Sequence, residues 1–599
     1  MRSGSRRLSF VVVCTLASSI AASGCVEDAV QGHHDGSGVT PDPNNPAHHE
    51  VPVEGTAKTG LEGVDDAIQA WMRATCTGAV GISFGFGDKP LLARGYGFKE
   101  GPPNIVCQGK NGADMYDGLD RTSANTPFRI GSNTKAITAA IVRDAIKQRL
   151  TNLGLEATDE KVESLKIMDE DFNLVSPAFR RAVKGALVTG GPVTCAPPAV
   201  MSSGSPVVDG DRADPRWLDV TVGHLLSHKS GLPRGGNSTL LQLTKVRSLT
   251  TSALLDHEEL LTAPTEEATT ELRKMLDGKP RFVRQENLEE YLVANANLCF
   301  EFDPGGDAPE GEDDYSNFGF GILQHIAEHV SGKSFASPLG AHAQHGSSLL
   351  AEFNEERLGF TKGNGSDHGI YFSQPVHGER DTREAVYRAW DGKGMQGMSW
   401  DTKRAWCIWN ENYAPPRVDC SVFLHPALGD QPHFNYGWKD APVPVSYENV
   451  GFSAGPGLLA AEMPLLQRFM AKYWVSGDAV SNYYGRERAT NPSKRSRYHH
   501  GKLPGAFSTV AQFMGDDVTY TIVPRKDGEL DLSTLGEETP TASCKLPSGL
   551  NLALAANQTS DAACGADGCG WRYRALREVV KEALCKVDWL KVSPRIANK

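Results

Sequence analysis

Positions 128–135 of the chain read Phe128-Arg129-Ile130-Gly131-Ser132-Asn133-Thr134-Lys135. The residues that follow, from Ala136 to Ile146, place apolar side chains at helical spacing without Gly or Pro, which predicts a helix. Ser132 would lie where this helix begins, with Lys135 three residues later on the same face. The start of a helix offers unpaired N–H groups and a positive dipole end, which can hold an oxyanion and disfavour a nearby ammonium group. The pattern fits a nucleophile with its own base, although the stretch alone favours a capped helix with a surface lysine.

The composition is that of a large globular protein. With 599 residues the chain can bury a large core and form two or more subdomains. Hydrophobic residues make up 40% of the chain and charged residues 22%, which excludes a disordered polypeptide. The formal net charge of -12 argues against nucleic acid as the main partner. Composition leaves the substrate open.

Residues 1–24 have the pattern of an export signal peptide. Arginines at the start precede an apolar run that is too short to anchor the chain in a bilayer, and small residues follow. Ala22-Ser23-Gly24-Cys25 resembles a bacterial lipobox, which would place a lipid on Cys25; cleavage to a soluble secreted form is the alternative. We therefore expect an exported protein, located in the bacterial cell envelope (periplasm or outer-membrane lipoprotein) or secreted. Membrane contact is expected only through Cys25.

The chain has 12 cysteines. Without Cys14 in the signal peptide and Cys25, an even number remains, which in an exported chain predicts disulfide bonds of undetermined pairing. No paired His or Cys motif at ligand spacing accompanies them, so no metal site is expected.

The order of predicted elements indicates one α/β domain with a helical insertion. Residues 25–63 are rich in Gly, Pro, Asp, Asn and His and predict a flexible tether, with folded structure from 64 to 599. Strands are predicted early, from Val80 to Phe86 and from Leu91 to Phe98, and again between 498 and 555. The intervening part reads as mostly helical. This order predicts an α/β part built from about 64–150 and 451–599, with a helical and insertion part at about 151–450.

Two further polar motifs lie far downstream of Ser132. Tyr315-Ser316-Asn317 directly precedes a predicted helix, so a phenol and an amide can enter one cleft from one loop. A phenol can relay a serine proton, and an amide can donate a hydrogen bond to a substrate carbonyl. His499-His500-Gly501-Lys502 opens a late predicted strand, where Gly501 would let the backbone come close to a ligand.

In this order, the motifs resemble those of the serine β-lactamase and D-alanyl-D-alanine carboxypeptidase superfamily, in its class C and peptidase S12 branch. The resemblance covers, in pieces, most of the chain from Val64 to about Asn557, with long insertions. It includes the stretches Thr126-Pro127-Phe128-Arg129 and Val222 to Pro233. The fold that it implies is an α/β (α+β) fold of the β-lactamase/transpeptidase type, an antiparallel sheet flanked by helices with an inserted helical domain.

The resemblance also implies roles for individual residues. Ser132 would attack a carbonyl and form an acyl-enzyme, with Lys135 and Tyr315 sharing the proton transfers. Asn317 would hold the site together, and His499 would stand where relatives carry Lys or His. The N–H groups of Ser132 and Lys502, beside Gly501, would hold the oxyanion. No cofactor is implied, because the mechanism needs only side chains and water.

The reaction is less determined than the nucleophile. Relatives with Lys/His-Thr-Gly use the threonine near the substrate carboxylate, and this chain has His500 there, without a hydroxyl. The change weakens the case for penicillin hydrolysis and for D-Ala-D-Ala trimming, and leaves an esterase, peptidase or amidase open. We expect an exported serine hydrolase acting on a small-molecule or peptide acyl substrate. The alternative is a lipid-anchored, penicillin-binding-like protein that has lost turnover.

Three stretches imitate these motifs. Lys58-Thr59-Gly60 precedes the nucleophile and ends the tether, so it is interpreted as a chance match. Tyr447-Glu448-Asn449 lacks the preceding Pro-Gly and the following helix of the Tyr315 motif. Gly451-Phe452-Ser453-Ala454-Gly455 matches the nucleophile elbow of α/β-hydrolases, which would make Ser453 the nucleophile. Prolines before and after Ser453 disfavour the strand and the helix that an elbow requires.

Overall fold

The computed structural model describes the chain in segments, and the statements below concern these residues. The segments are 51–75, 77–99, 120–188, 193–196, 206–210, 212–235, 288–310, 314–336, 348–360, 369–373, 383–385, 388–389, 457–473, 497–503, 506–526, 528–532, 539–559 and 570–593. All of them belong to one compact unit, Pro41–Lys599.

The strands of the described residues, in chain order, are β1 Val53–Ala57, β2 Ala79–Phe86, β3 Lys89–Gly97, β4 Phe128–Arg129, β5 Cys195–Ala196, β6 Val207–Val208, β7 Tyr371–Phe372, β8 Arg388–Ala389, β9 Leu459–Ala461, β10 Arg497–Leu503, β11 Ala506–Phe513, β12 Asp517–Thr521, β13 Arg525–Lys526, β14 Glu529–Leu530, β15 Thr541–Lys545, β16 Leu550–Ala556 and β17 Gln558–Thr559.

The α-helices of the same residues are α1 Glu62–Thr75, α2 Thr134–Asn152, α3 Asp159–Ser164, α4 Pro177–Lys184, α5 Val222–Leu226, α6 Leu288–Ala294, α7 Asn317–Ser331, α8 Leu349–Glu352, α9 Met463–Tyr473, α10 Gly570–Cys585 and α11 Trp589–Val592. Two 3-10 turns, Gly131–Asn133 and Pro215–Asp219, and one π turn, Phe353–Arg357, are also described.

A six-stranded antiparallel sheet combines strands from both ends of the chain. Its strand order is β1-β3-β2-β16-β11-β10, so the early hairpin β2–β3 pairs with the late strand β16. β2 and β16 lie at the centre, and their residues are buried along nearly the whole strand. A central strand covered on both faces is expected to be apolar throughout, as Ile82 and Leu552 illustrate. The sheet and its flanking helices confirm the predicted fold class.

Each face of this sheet has its own apolar core. On one face, Ile82, Phe84 and Leu552 pack with Trp71 of α1 and Val580 of α10. On the other face, Ala553 and Val510 pack with side chains of α2, α7 and α9. The small residues of the second face let α9 lie close to the sheet, and α2 carries the start of the candidate site.

The prediction that the tether extends to residue 63 is wrong at its end. β1 already pairs with β3, with Val53 opposite Tyr96, and Gln69 Nε2 donates to the Val51 carbonyl at 2.8 Å. The side chains of β1 are at most partly buried, because an edge strand is held largely by backbone hydrogen bonds. Its composition therefore resembled that of a linker. The predicted signal peptide and Cys25 lie outside the described residues.

Two disulfide bonds are described. Cys195–Cys299 joins β5 to the segment after α6, and Cys544–Cys585 joins β15 to the end of α10. The prediction that the chain contains disulfides is confirmed for these two pairs.

A small three-stranded sheet holds the segment that leads to Ser132. β4, directly before Gly131, pairs with β9, which in turn pairs with β7. Arg129 of β4 is 1% exposed and forms an ion pair of 3.4 Å with the buried Glu384. Ser373 Oγ accepts from Arg129 Nε at 2.8 Å and donates to Glu384 at 2.6 Å. The strand that leads to Ser132 is therefore fixed by charge-assisted hydrogen bonds in addition to its pairing.

Candidate active site

Ser132 lies in a single 3-10 turn, Gly131–Asn133, between β4 and α2. The predicted helix follows, but it begins at Thr134, two residues later than Ser132. Gly131 has φ +51, and a Cβ there would lie 2.7 Å from the backbone N of Lys502. Glycine is therefore required both by the left-handed conformation and by the close approach of β10. As a result, Ser132 stands where the nucleophile turn meets the edge of the main sheet.

Lys135 occupies the first turn of α2, and its side chain is completely buried. Its Nζ donates to Ser132 Oγ at 3.2 Å and to Asn317 Oδ1 at 2.7 Å. Burial lowers the pKa of Lys135, since a charged ammonium group loses its hydration there; nearby Tyr315 opposes this shift and Arg234 adds to it. A lysine with a lowered pKa, bonded to a serine hydroxyl, can accept the serine proton more readily than a surface lysine.

Tyr315, which lies 183 residues after Ser132 in the sequence, contacts the same hydroxyl. Its phenolic O–H donates to Ser132 Oγ at 2.5 Å, and Lys135 Nζ is 4.6 Å from the centroid of its ring. Ser316 is the N-cap of α7, and its Oγ accepts from Gly319 N at 2.9 Å. Asn317 is therefore the first residue of α7, and Tyr315 directly precedes the cap residue Ser316. Tyr315, Lys135 and Asn317 thus converge on one hydroxyl, although about 180 residues separate the two motifs.

His499 of β10 is linked to the nucleophile turn through Asn133. His499 Nδ1 is 2.9 Å from Asn133 Oδ1, and Asn133 Nδ2 donates to Ser508 Oγ at 2.6 Å. Burial lowers the pKa of His499 well below its ordinary value, and the neighbouring charges of Lys135, His500 and His228 lower it further. The ring is therefore neutral at neutral pH. Since Asn133 Oδ1 can only accept, the proton of this ring lies on Nδ1.

Gly501 and Lys502 follow His499 on the same edge strand. A Cβ on Gly501 would lie 1.8 Å from the carbonyl oxygen of Ile130, so this glycine makes room for the nucleophile segment itself. Ser508 Oγ donates to the same carbonyl at 2.6 Å. These contacts bring the backbone N of Lys502 beside Gly131, one residue before Ser132. The predicted oxyanion pair, Ser132 N–H and Lys502 N–H, is thus close in space.

His500 points to the opposite face of the strand from His499, as alternation along a strand requires. Its Nδ1 is 2.8 Å from Thr509 Oγ1, and its Nε2 is 2.7 Å from Arg577 of α10. The residue that replaces the expected threonine therefore packs toward the C-terminal helix. Its lack of a hydroxyl says less about the substrate pocket than the sequence alone indicated.

Of the three competing motifs, Lys58-Thr59-Gly60 lies within the described residues, and it is not brought to this site. Lys58-Thr59-Gly60 follows β1, and β1 and β10 are opposite edges of the sheet. Ser453 and Tyr447-Glu448-Asn449 lie outside the described residues, so the elbow alternative is untested. Within the described segments, no group of three or more His, Cys, Asp or Glu could hold a metal ion. In the same segments, no helix is long and apolar enough to cross a membrane.

Two contacts of the site were not predicted from the sequence. Asn133 links His499 to Ser508, and His228 stacks on Tyr315 with ring centroids 4.5 Å apart. The position of Asn133 directly after Ser132 was the one local feature that could have indicated its part in the site. His228 lies in the Val222 to Pro233 stretch that supported the resemblance, but nothing in its spacing pointed to Tyr315.

Comparison with known proteins agrees with this geometry. Residues 87–342 match the family model described as Beta-lactamase. This range contains Ser132, Lys135, Tyr315 and Asn317, whereas His499, Gly501 and Lys502 lie beyond it. No curated protein is similar enough to this chain to match it.

Several solved structures are similar to the chain at low identity. A penicillin-binding protein homologue from Caulobacter crescentus is 13% identical, with 89% of this chain and 100% of that chain covered and a TM-score of 0.36. An octameric penicillin-binding protein homologue from Pyrococcus abyssi is 14% identical, with coverages of 84% and 74% and a TM-score of 0.34. A β-lactamase/D-alanine carboxypeptidase from Yersinia pestis is 12% identical, with coverages of 88% and 98% and a TM-score of 0.34. These TM-scores are too low to support a conclusion about this chain. The functional assignment therefore depends on the family match and on the geometry of the site.

Proposed function

We propose that the chain is a serine hydrolase that works through an acyl-enzyme on Ser132, on the premise that residues 87–342 match the Beta-lactamase family model. The observation that carries the proposal is the convergence of Tyr315 and the buried Lys135 on Ser132 Oγ, at 2.5 Å and 3.2 Å. A capped helix with a surface lysine would not bury that lysine against a serine, a phenol and an amide.

In the acylation step, Ser132 Oγ attacks the substrate carbonyl carbon while its proton passes to the Tyr315–Lys135 pair. Negative charge on the carbonyl oxygen is held by the N–H groups of Ser132 and Lys502. When the tetrahedral intermediate collapses, the bond to the leaving group breaks, and the pair returns the proton to the leaving group. Water then attacks the ester on Ser132 by the reverse sequence, releasing the acid and restoring the serine.

Asn317 and His499 have supporting parts in this proposal. Asn317 Oδ1 fixes the Lys135 amine near the serine hydroxyl. His499 is neutral at neutral pH, so it contributes hydrogen bonds rather than a positive charge, and it holds Asn133 beside the nucleophile.

We also propose that the protein is exported and that Cys25 carries a lipid anchor. The two described disulfides support an oxidising compartment. Metabolic labelling with a radioactive fatty acid, in wild type and in Cys25→Ala, tests the anchor. Label retained after Cys25→Ala would contradict it.

The reaction is tested by exposing the purified protein to a p-nitrophenyl ester, a fluorescent penicillin and a D-Ala-D-Ala peptide. Wild type is expected to turn over at least one of them, and Ser132→Ala is expected to turn over none. Ser453→Ala, the matched control, should keep wild-type activity; loss of activity in this variant alone would move the nucleophile to the elbow motif. A stable adduct on Ser132 without turnover would instead favour the penicillin-binding-like alternative. No adduct and no turnover with any reagent would contradict the proposal.

A further inference from the structure

A residue that packs on the ring of Tyr315 comes from the turn after α5. His228 is 7% exposed, and its ring stacks on the Tyr315 ring with centroids 4.5 Å apart and 29° between the planes. Its Nδ1 accepts a hydrogen bond from the backbone N–H of Ser316 at 3.0 Å. His228 therefore holds both the ring of Tyr315 and the peptide group that follows it.

The backbone of His228 has an uncommon left-handed conformation. Its φ is +59, and the only other described non-glycine residue with a positive φ is Asn173. This conformation is uncommon outside glycine, although asparagine and histidine adopt it more often than most residues, and it persists where surrounding contacts fix it. The conformation turns the imidazole back toward the loop that carries Tyr315.

The segment that follows His228 completes the support of that loop. Ser316 Oγ donates to the Pro233 carbonyl at 2.8 Å, and Asn317 N donates to the Arg234 carbonyl at 2.8 Å. These bonds fix the backbone after Tyr315, but they do not set the plane of its ring. The His228 ring combines a hydrogen bond from the adjacent Ser316 N–H with a stack on the phenol of Tyr315.

We propose that His228 is a positioning residue that keeps the Tyr315 hydroxyl on Ser132 Oγ. The hydrogen bond from Ser316 N–H requires an unprotonated Nδ1, so the imidazole ring is neutral and carries its proton on Nε2. The proposal rests on the proposed function, because it assumes that Tyr315 takes part in acylation. The effect of His228 on Ser132 passes through Tyr315, whose hydroxyl donates to Ser132 Oγ.

Three substitutions separate the two contacts of His228. His228→Asn keeps an acceptor and tolerates positive φ but loses the stack, and His228→Gly tolerates the backbone and loses both contacts. His228→Phe keeps the stack and loses the acceptor. With p-nitrophenyl acetate we expect the acylation rate constant to fall about a hundredfold in His228→Gly, the size of effect that misplacing a catalytic group produces. The Asn variant should lie between Gly and wild type, and the concentration for half-maximal rate should change little.

A double-mutant cycle with Tyr315→Phe distinguishes positioning from a general loss of structure. If His228 acts through the Tyr315 hydroxyl, His228→Asn should cost little further activity in the Tyr315→Phe background. Thermal unfolding of every variant shows whether the fold is retained, and the Asn variant keeps the cycle usable if Gly or Phe unfolds.

The outcomes of these experiments are distinct. Equal acylation rates in wild type and folded His228→Asn and His228→Gly would overturn the positioning role while leaving the nucleophile in place. If His228→Asn lowers the acylation rate constant by the same factor with and without the Tyr315 hydroxyl, the positioning role is overturned too. A wild-type protein that no reagent acylates would remove the proposed function, and this inference with it.

Discussion

Tyr315→Phe removes one oxygen atom and tests whether the phenol takes part in the chemistry. The hydroxyl donates to Ser132 Oγ at 2.5 Å, whereas the ring keeps its stack on His228 and its contact with Lys135. Loss of a positioned proton-transfer group typically costs about a hundredfold to ten-thousandfold in rate, which is about 3 to 5 kcal/mol of activation free energy. Loss of one neutral hydrogen bond costs only about 1 kcal/mol of folding free energy.

Stopped-flow or steady-state release of p-nitrophenolate measures the rate, and urea unfolding measures the stability. Tyr371→Phe is a matched control, because its phenol lies within 3.0 Å of a Glu384 carboxylate oxygen in the buried ion-pair network. A hydrogen bond to a charged partner contributes about 1.5 to 3 kcal/mol, so this variant should lose more stability than Tyr315→Phe. It should keep nearly full activity, since Ser132 Oγ accepts from Lys135 and Tyr315 and not from Tyr371.

The reasoning fails if Tyr315→Phe keeps an acylation rate within threefold of wild type. It also fails if Tyr371→Phe loses as much activity as Tyr315→Phe, since the effect would then follow stability rather than proton transfer.

Three further predictions concern buried charged or titratable groups. Lys135→Met should lower the acylation rate about a hundredfold or more, and Lys135→Arg should not restore it because guanidinium stays protonated; p-nitrophenolate release checks both, and activity in either would contradict the proton-transfer role. Glu384→Ala leaves the Arg129 guanidinium buried without its carboxylate and should cost about 3 to 5 kcal/mol in urea unfolding, whereas an unchanged midpoint would show that the pair adds nothing. Burial lowers the pKa of His325 from its ordinary value of 6.5 to about 4. Between pH 6.5 and pH 4, His325 is therefore protonated in the unfolded chain but not in the native chain. Stability should therefore fall by about 3 kcal/mol from pH 7 to pH 4 through this group, and His325→Gln, which keeps an acceptor for Ser176 N, should flatten that dependence; an equally steep profile in the variant would contradict the assignment.

Local signals predicted much of the fold. The two early apolar runs predicted the strands β2 and β3, and the stretch after Tyr315-Ser316-Asn317 predicted the helix α7. These elements depend on periodicity and on turn residues, both of which are visible in a short window. β1 was missed because an edge strand held by its backbone has no apolar pattern.

The candidate site was predictable only in part. The order of the Ser132, Tyr315 and His499 motifs could be read by resemblance, and the structure brings the first two into direct contact. The link from His499 through Asn133 to Ser508 joins residues 366 and 375 positions apart, respectively. Such contacts arise from the pairing of β10 with β11 beside the nucleophile turn, and no local spacing encodes them.

The most direct test of the account is the position of the acyl group after brief reaction of the wild-type protein with a p-nitrophenyl ester. Acid quenching, tryptic digestion and mass spectrometry of the peptides locate it. The account predicts the acyl group on Ser132 in the peptide of residues 130–135, and its absence in Ser132→Ala. An acyl group found instead on Ser453, in the peptide of residues 440–468, or an equal modification in Ser132→Ala, would contradict it.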